Sequence, residues 1–222
     1  MMGFKPAASL TEQIANHLSD EIINGRLAPL ERIQELKVAK DLGVSRGSVR
    51  EALLIVEGRH LIDIIPRRGA VVSGLEPVRI GDLTEFFAEL ILMLLVRVAA
   101  KVNGNGRPHA LDGFKCALTQ MGDNLAPESI DALVSAKLAF FHAGLELAGN
   151  SYLSTVVHDL TPAMHRVSRR AAEHSHFDPR DVTRFARALL DAMVANDRTR
   201  LGELVRAHYR REATLALDAA VH

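Results

Sequence analysis

Arg46 and Arg50 are the residues best suited, by type and spacing, to act on a partner. They stand four apart inside the run Gly43-Val44-Ser45-Arg46-Gly47-Ser48-Val49-Arg50-Glu51-Ala52-Leu53. On a helix that spacing puts both on one face. An arginine fork can bond bidentately to O6 and N7 of a guanine in the major groove. Ser45 is a good N-cap residue, because its hydroxyl can accept from the free amides of a first turn. Ser45 and Ser48 can also donate to phosphate, at a helix N-terminus that itself favours an anion. Lys37 upstream and Arg67-Arg68-Gly69 downstream surround this stretch with further positive charge. The partner these residues imply is double-stranded DNA.

Positioning those arginines takes a short trihelical frame. Leu10, Ile14, Leu18 and Ile22 recur every four residues and predict a helix from Leu10 to Asn24, ended by Gly25. A loop containing Pro29 follows, then a short helix from Glu35 to Leu42 that turns Val38, Ala39 and Leu42 inward. Gly43 closes it. The next helix runs from its Ser45 cap to about Glu57, with Val49, Leu53 and Val56 on its inner side. The period then changes to that of strands. Leu61 to Ile65 and Ala70 to Val72 flank the turn Pro66-Arg67-Arg68-Gly69, which predicts a hairpin with a basic tip. Three helices and a two-stranded wing make a winged helix-turn-helix over residues 1–73.

Residues 74–78 read as a linker, since Gly74 and Pro77 interrupt both periods. Beyond it no strand signal remains. Helices are expected over 79–102, about 110–122, 128–148, 152–175, 179–196 and 198–220, an all-α bundle occupying 79–222. The fold class is therefore mainly α. The breaks fall at Asn103-Gly104-Asn105-Gly106, Ala126-Pro127, Gly149-Asn150, Asp178-Pro179 and Asn196-Asp197. No internal repeat or low-complexity tract is visible.

Composition limits the function classes. The chain has 222 residues, 48% hydrophobic and 24% charged, room for one large or two modest domains with a real core. Its formal net charge is zero, so a nucleic-acid surface has to be local rather than global. The one cysteine, Cys116, excludes an internal disulfide framework and fits a reducing cytoplasm. The N-terminal residues lack a signal peptide's apolar region. The most lipid-like stretch, Leu90 to Val96, is bracketed by Glu89 and Arg97 and is far shorter than the roughly 20 residues a bilayer requires. Gly43-Val44-Ser45-Arg46-Gly47 matches G-x-S-x-G, the nucleophile elbow of hydrolases. That motif needs a buried strand running into the turn, and Lys40-Asp41-Leu42 ends a polar helix instead.

Eight of the ten histidines lie after residue 105. Helical spacing groups His142 with Leu138, Phe141 and Leu145, and His208 with Leu201, Leu204 and Val205. Both are expected to face the bundle interior, where an imidazole has to find a partner. His174 and His176 look like an exposed helix end, and His109 and His222 like loop or terminal residues.

Residues 10–73 resemble the DNA-binding domain of GntR-superfamily regulators. The resemblance rests on VSRGSVREAL, with Gly25-Arg26-Leu27 upstream and Arg67-Arg68-Gly69 downstream. It implies base and phosphate contacts for Arg46 and Arg50 and a wing-tip contact for Arg68-Gly69. Three positions depart from the family pattern. Leu30 stands where glycine is usual, Gly47 where threonine or another side chain is usual, and Leu36 where arginine is frequent, although Lys37 lies beside it.

The helical region resembles the FCD-type ligand-binding domain of the FadR subfamily. Phe141-His142 with Ala148-Gly149-Asn150 carries the likeness, together with Leu189-Leu190-Asp191-Ala192, Asn196-Asp197 and His208. The resemblance implies an effector pocket around Leu138, His142, Ala186, His208, Glu89 and Asn150. Many such domains hold a divalent metal through an Asp four residues before the first His, that His, and two more. Here the Asp position is Leu138 and one His position is Ala186. With His142 and His208 alone left, the set falls short of the three or four ligands a zinc-like site needs, so no tight metal and no cofactor is expected. Glu146 is the available substitute ligand. The losses predict an effector that is apolar or weakly polar.

The mechanism expected is one-component regulation by a cytoplasmic homodimer on a palindromic operator, with repression as the family default. One rival is a DNA-bound dimer without an effector. The other is an enzyme using His142 and His208, for which no nucleophile, cofactor loop or complete ligand set is present.

Overall fold

The computed structural model describes residues 9–105, 111–123 and 130–219. They fall into two compact units that divide between Leu75 and Glu76.

The first unit is built from α1 (Leu10–Ile23), α2 (Glu35–Leu42), α3 (Arg46–Gly58), β1 (Ile62–Ile65) and β2 (Gly69–Val72). Ser9 starts α1 with a capping box, its hydroxyl accepting from the Glu12 amide while the Glu12 carboxylate accepts from the Ser9 amide. Ile14, Leu18 and Ile22 from α1 meet Val49, Leu53 and Val56 from α3 over Leu61, Ile62 and Val72 of the wing. The two strands are antiparallel, with Ile62 opposite Val72 and Ile65 opposite Gly69. The Pro29 loop is more ordered than its sequence predicts. Leu30 N donates to Val72 O (3.0 Å), Ile33 N to Ala70 O (2.9 Å), and Val72 N to Glu31 O (2.8 Å), so a short third edge lies along β2. Three or four residues are too few to show a period of two. Leu30 lies at φ 64°, the left-handed region, with its side chain 65% exposed. A position that favours glycine thus carries a branched residue.

The second unit contains α4 (Pro77–Asn105), α5 (Asp112–Asp123), α6 (Ile130–Ala148), α7 (Ser151–Ala172), α8 (Pro179–Val194) and α9 (Arg198–Asp218). α4 packs on α9, α5 on α6, and α7 on α9. α4 departs from its expected bounds at both ends. α4 starts at Pro77, inside the stretch read as linker, since proline is tolerated where a helix begins. It also runs past the expected stop at 102, because Asn103 donates from Nδ2 to Ala99 O and to Met193 O of α8, holding the last turn. The Asn150, Asp178 and Asp197 breaks are N-caps, each accepting from a first-turn amide. The Ala126-Pro127 break, His109 and His222 lie outside the described residues.

Candidate DNA-reading face and helical-domain site

Gly43 ends α2 at φ 65° and allows the sharp turn into α3. Ser45 caps α3, its Oγ accepting from the Ser48 amide at 3.0 Å. The two serine hydroxyls lie 2.9 Å apart, so one proton serves their mutual bond and the other remains free to donate. Val49 and Leu53 anchor the helix in the core, which turns Arg46, Gly47 and Arg50 to solvent.

A residue the sequence reading did not single out organises this face. Glu35, at the start of α2, accepts through a single oxygen from Arg46 Nε at 2.7 Å and from Arg50 Nε at 2.8 Å. Its carboxyl is held below the usual range by the Arg46 bond first, against a smaller penalty for burial, with Arg50 adding to the effect. The two Nε–H groups are engaged while the arginine side chains stay about half exposed. An arginine bonds guanine through two N–H groups of its fork, so a guanidinium anchored at Nε still has its terminal nitrogens to offer. Glu35 lies 11 and 15 residues from its partners. Only the turn between α2 and α3 brings them together. Lys37 is exposed on α2, and Leu36 beside it is 69% exposed, presenting hydrocarbon where the family often places arginine.

The wing tip is a tight turn. Arg68 N donates to Ile65 O at 3.0 Å, with Pro66 second and Arg67 third, at φ 65°. Proline followed by a left-handed residue is the type II pattern, which ordinarily takes glycine where Arg67 stands. An arginine there costs about 1–2 kcal/mol of backbone strain. Gly69, at φ 81°, lies against Arg32, whose guanidinium nitrogens are 4.0 Å from where a Cβ would project. Arg32 bridges to Val71 and brings a third arginine to the wing.

In the helical unit, Glu89 and His208, both proposed for an effector pocket, line different cavities. Leu138 and Ala186 are buried. His208 is stacked on Phe185, ring centroids 3.8 Å apart and planes 6° apart. Burial lowers its pKa to about 4, with Glu212 opposing, so it is neutral at pH 7. His142 is only half-buried and lies against His158 at 4.6 Å. Burial and then His158 push its pKa down. The expectation that His142 faces the interior is thus corrected. α6 is packed by α4, α5, α7 and α8 and buries Lys137, Phe140, Phe141 and Gly144, which leaves His142 at the margin. Asn150 uses its Oδ1 to cap α7. Glu89 pairs with Arg206 of α9 (2.6 and 3.0 Å) and lines a groove of about 350 Å³ between α4 and α9. His208 lines a separate cavity of about 40 Å³ with Glu212, Val182 and Arg211. Among the described residues, no group of three or more His, Cys, Asp or Glu side chains converges as a metal site would. The donors present do not fit a divalent ion.

A winged helix with an ordered arginine face defines a DNA-binding protein. Residues 10–72 match the bacterial regulatory proteins of the gntR family, and residues 87–211 match the FCD domain. The chain belongs to the GntR family of transcription regulators, in the branch that carries an FCD domain. It is 28% identical over 196 residues to an HTH-type transcriptional regulator of Streptomyces ambofaciens, covering 87% of this chain and 79% of that protein. It is 27% identical over 157 residues to the gluconate operon transcriptional repressor of Bacillus subtilis, covering 71% and 63%. E. coli McbR/YncC shares the fold at a TM-score of 0.73 and 20% identity, covering 96% of this chain and 99% of that one. A GntR regulator from Rhodococcus sp. RHA1 does so at 0.69 and 24%, covering 95% and 99%. GntR-family members bind DNA, and the matched families and relatives are transcriptional regulators rather than enzymes. No helix of the described residues is long and apolar enough to cross a membrane.

Proposed function

We propose that this regulator is a cytoplasmic repressor that binds a palindromic operator as a homodimer and is released by a small, apolar or weakly polar metabolite. The observation that carries the DNA-reading part is the single Glu35 carboxylate oxygen that holds Arg46 and Arg50 side by side on the exposed face of α3. In this reading Arg46 and Arg50 reach base edges, while Ser45, Ser48 and Lys37 hold phosphates. Gly47 lets the backbone approach the groove, and Arg67, Arg68 and Gly69 lie over the flanking backbone. Repression is supported by likeness to the gluconate operon repressor. Two-fold protein symmetry calls for an inverted repeat in the DNA.

The effector reading is supported by Leu138 and Ala186, which supply hydrocarbon where a metal-chelating acid would need ligands. The cavity beside His208 has room for water rather than a metabolite. An effector entering there has to part α8 from α9, and a ligand with unequal affinity for two arrangements shifts the balance between them. The test is a duplex selected from random DNA by the wild-type protein. Arg50→Ala should weaken binding to it by about 1–3 kcal/mol and relax preference at one base position. Unchanged affinity and preference would refute the placement of α3 in the groove.

A further inference from the structure

The interior of the helical unit holds a charge pair among its hydrocarbon. Lys137 on α6 and Glu212 on α9 have side chains only 3% and 7% exposed. Lys137 Nζ donates to Glu212 Oε1 at 2.5 Å and to Ser168 Oγ of α7 at 2.8 Å, so three helices meet on one ammonium. It lies 5.8 Å from the centroid of the buried Tyr209 ring, whose face attracts a cation. The second oxygen, Glu212 Oε2, faces His208 Nε2 at 3.8 Å, and neither atom has a hydrogen-bond partner. Burial pushes the Glu212 carboxyl up, yet the charge and hydrogen bond of Lys137, with the Ser168 hydroxyl, outweigh it and hold the carboxyl below its usual range.

A buried carboxylate is tolerated only when a cation compensates it. A divalent ion at the position implied by resemblance would need donors from Leu138, His142, Ala186 and His208. Two of these have none, and His142 lies against His158 instead. The cation beside His208 comes from the residue next to Leu138.

We propose that the Lys137 ammonium, clamped by Glu212 and Ser168, is the resident interior cation of this domain and takes the structural place of a divalent metal beside His208. It ties α6, α7 and α9 together as a shared ion would. It differs from an ion in having no coordination position, because an ammonium donates hydrogen bonds and takes up no ligand lone pair directly. A ligand that binds by chelation therefore finds nothing to chelate.

The test uses the full chain as wild type, Lys137→Met and Lys137→Met/Glu212→Met, with melting temperature measured alone, with EDTA and with zinc chloride, and zinc content measured after purification. Wild type should contain no stoichiometric zinc and melt at the same temperature in all three conditions. Lys137→Met leaves the carboxylate uncompensated and should melt on the order of 10 °C lower. The double variant replaces the pair with hydrocarbon and should recover most of that loss. If Lys137→Met does not fold, the double variant should still do so. One zinc per chain, a wild type destabilised by EDTA, a harmless Lys137→Met, or a double variant that melts as low as the single or does not fold would each overturn the proposal.

Discussion

Replacing Glu35 with alanine separates two opposite roles for its carboxylate. Glu35 either orients Arg46 and Arg50 for DNA or competes with DNA for them. Both hydrogen bonds run from Nε to one carboxylate oxygen, at 2.7 and 2.8 Å. The arginine side chains are 51% and 58% exposed and Glu35 is 23% exposed. Exposed pairs of this kind contribute about 0.2–1 kcal/mol each to folding, so Glu35→Ala should cost only on the order of 1 kcal/mol of stability. On DNA the effect is larger. Two unanchored arginines have to be ordered on binding, at about 0.5–1.5 kcal/mol each. The sum, about 1–3 kcal/mol, corresponds to roughly 5- to 150-fold in Kd. Loss of a negative charge near phosphates acts the other way, but uniformly over all sequences. The decisive quantity is therefore the ratio of affinities for selected and scrambled duplexes, measured by fluorescence anisotropy at one salt concentration. Orientation predicts that this ratio falls 5-fold or more while scrambled binding holds or tightens. If both duplexes bind more tightly and the ratio is unchanged, Glu35 is a competitor and the orientation argument fails.

Three further outcomes follow from the backbone and the buried histidine. Leu30→Gly relieves a left-handed conformation worth about 1–2 kcal/mol, partly offset by glycine's greater freedom when unfolded, so melting should rise by a few degrees; a fall would show that the Leu30 side chain packs usefully. Gly47→Ala places a Cβ 3.6 Å from Ser45 Oγ, an ordinary contact, and should stabilise the reading head by about 0.5–1 kcal/mol in urea denaturation; destabilisation would contradict the open space seen there. For His208 the folded pKa is about 4 against 6.5 for the free side chain. Below pH 6.5 the unfolded chain takes up a proton that the folded chain refuses, so stability falls towards pH 4 by roughly 3 kcal/mol. His208→Gln should flatten the stability profile between pH 6.5 and 4.5, and an unchanged slope would show that His208 titrates normally.

Local pattern carried the reading head far. The four-residue recurrence from Leu10 to Ile22, the Ser45 cap and the Pro66–Gly69 turn each specify their element within a few residues, because caps, periods and turns are short-range physics. The same holds for Asn150, Asp178 and Asp197, which read as breaks and prove to be the caps that start α7, α8 and α9. The family likeness was legible for the same reason, since VSRGSVREAL is one contiguous stretch.

What escaped the sequence lies where distant segments meet. Glu35 acts on Arg46 and Arg50 only because Gly43 folds α2 back beside α3. The edge from Leu30 to Ile33 exists only because β2 offers it partners. Lys137 and Glu212 are 75 residues apart, and each alone would pass for a solvated charge on a helix. Leu138 and Ala186, taken one at a time, tell of hydrocarbon at two positions and nothing of the Lys137–Glu212 pair. Sequence alone determined the elements, the caps and the arginine face, whose causes lie within a turn or two of chain. Tertiary structure decided which carboxylate holds which cation, because that depends on which helices the packing of the core brings within hydrogen-bond reach.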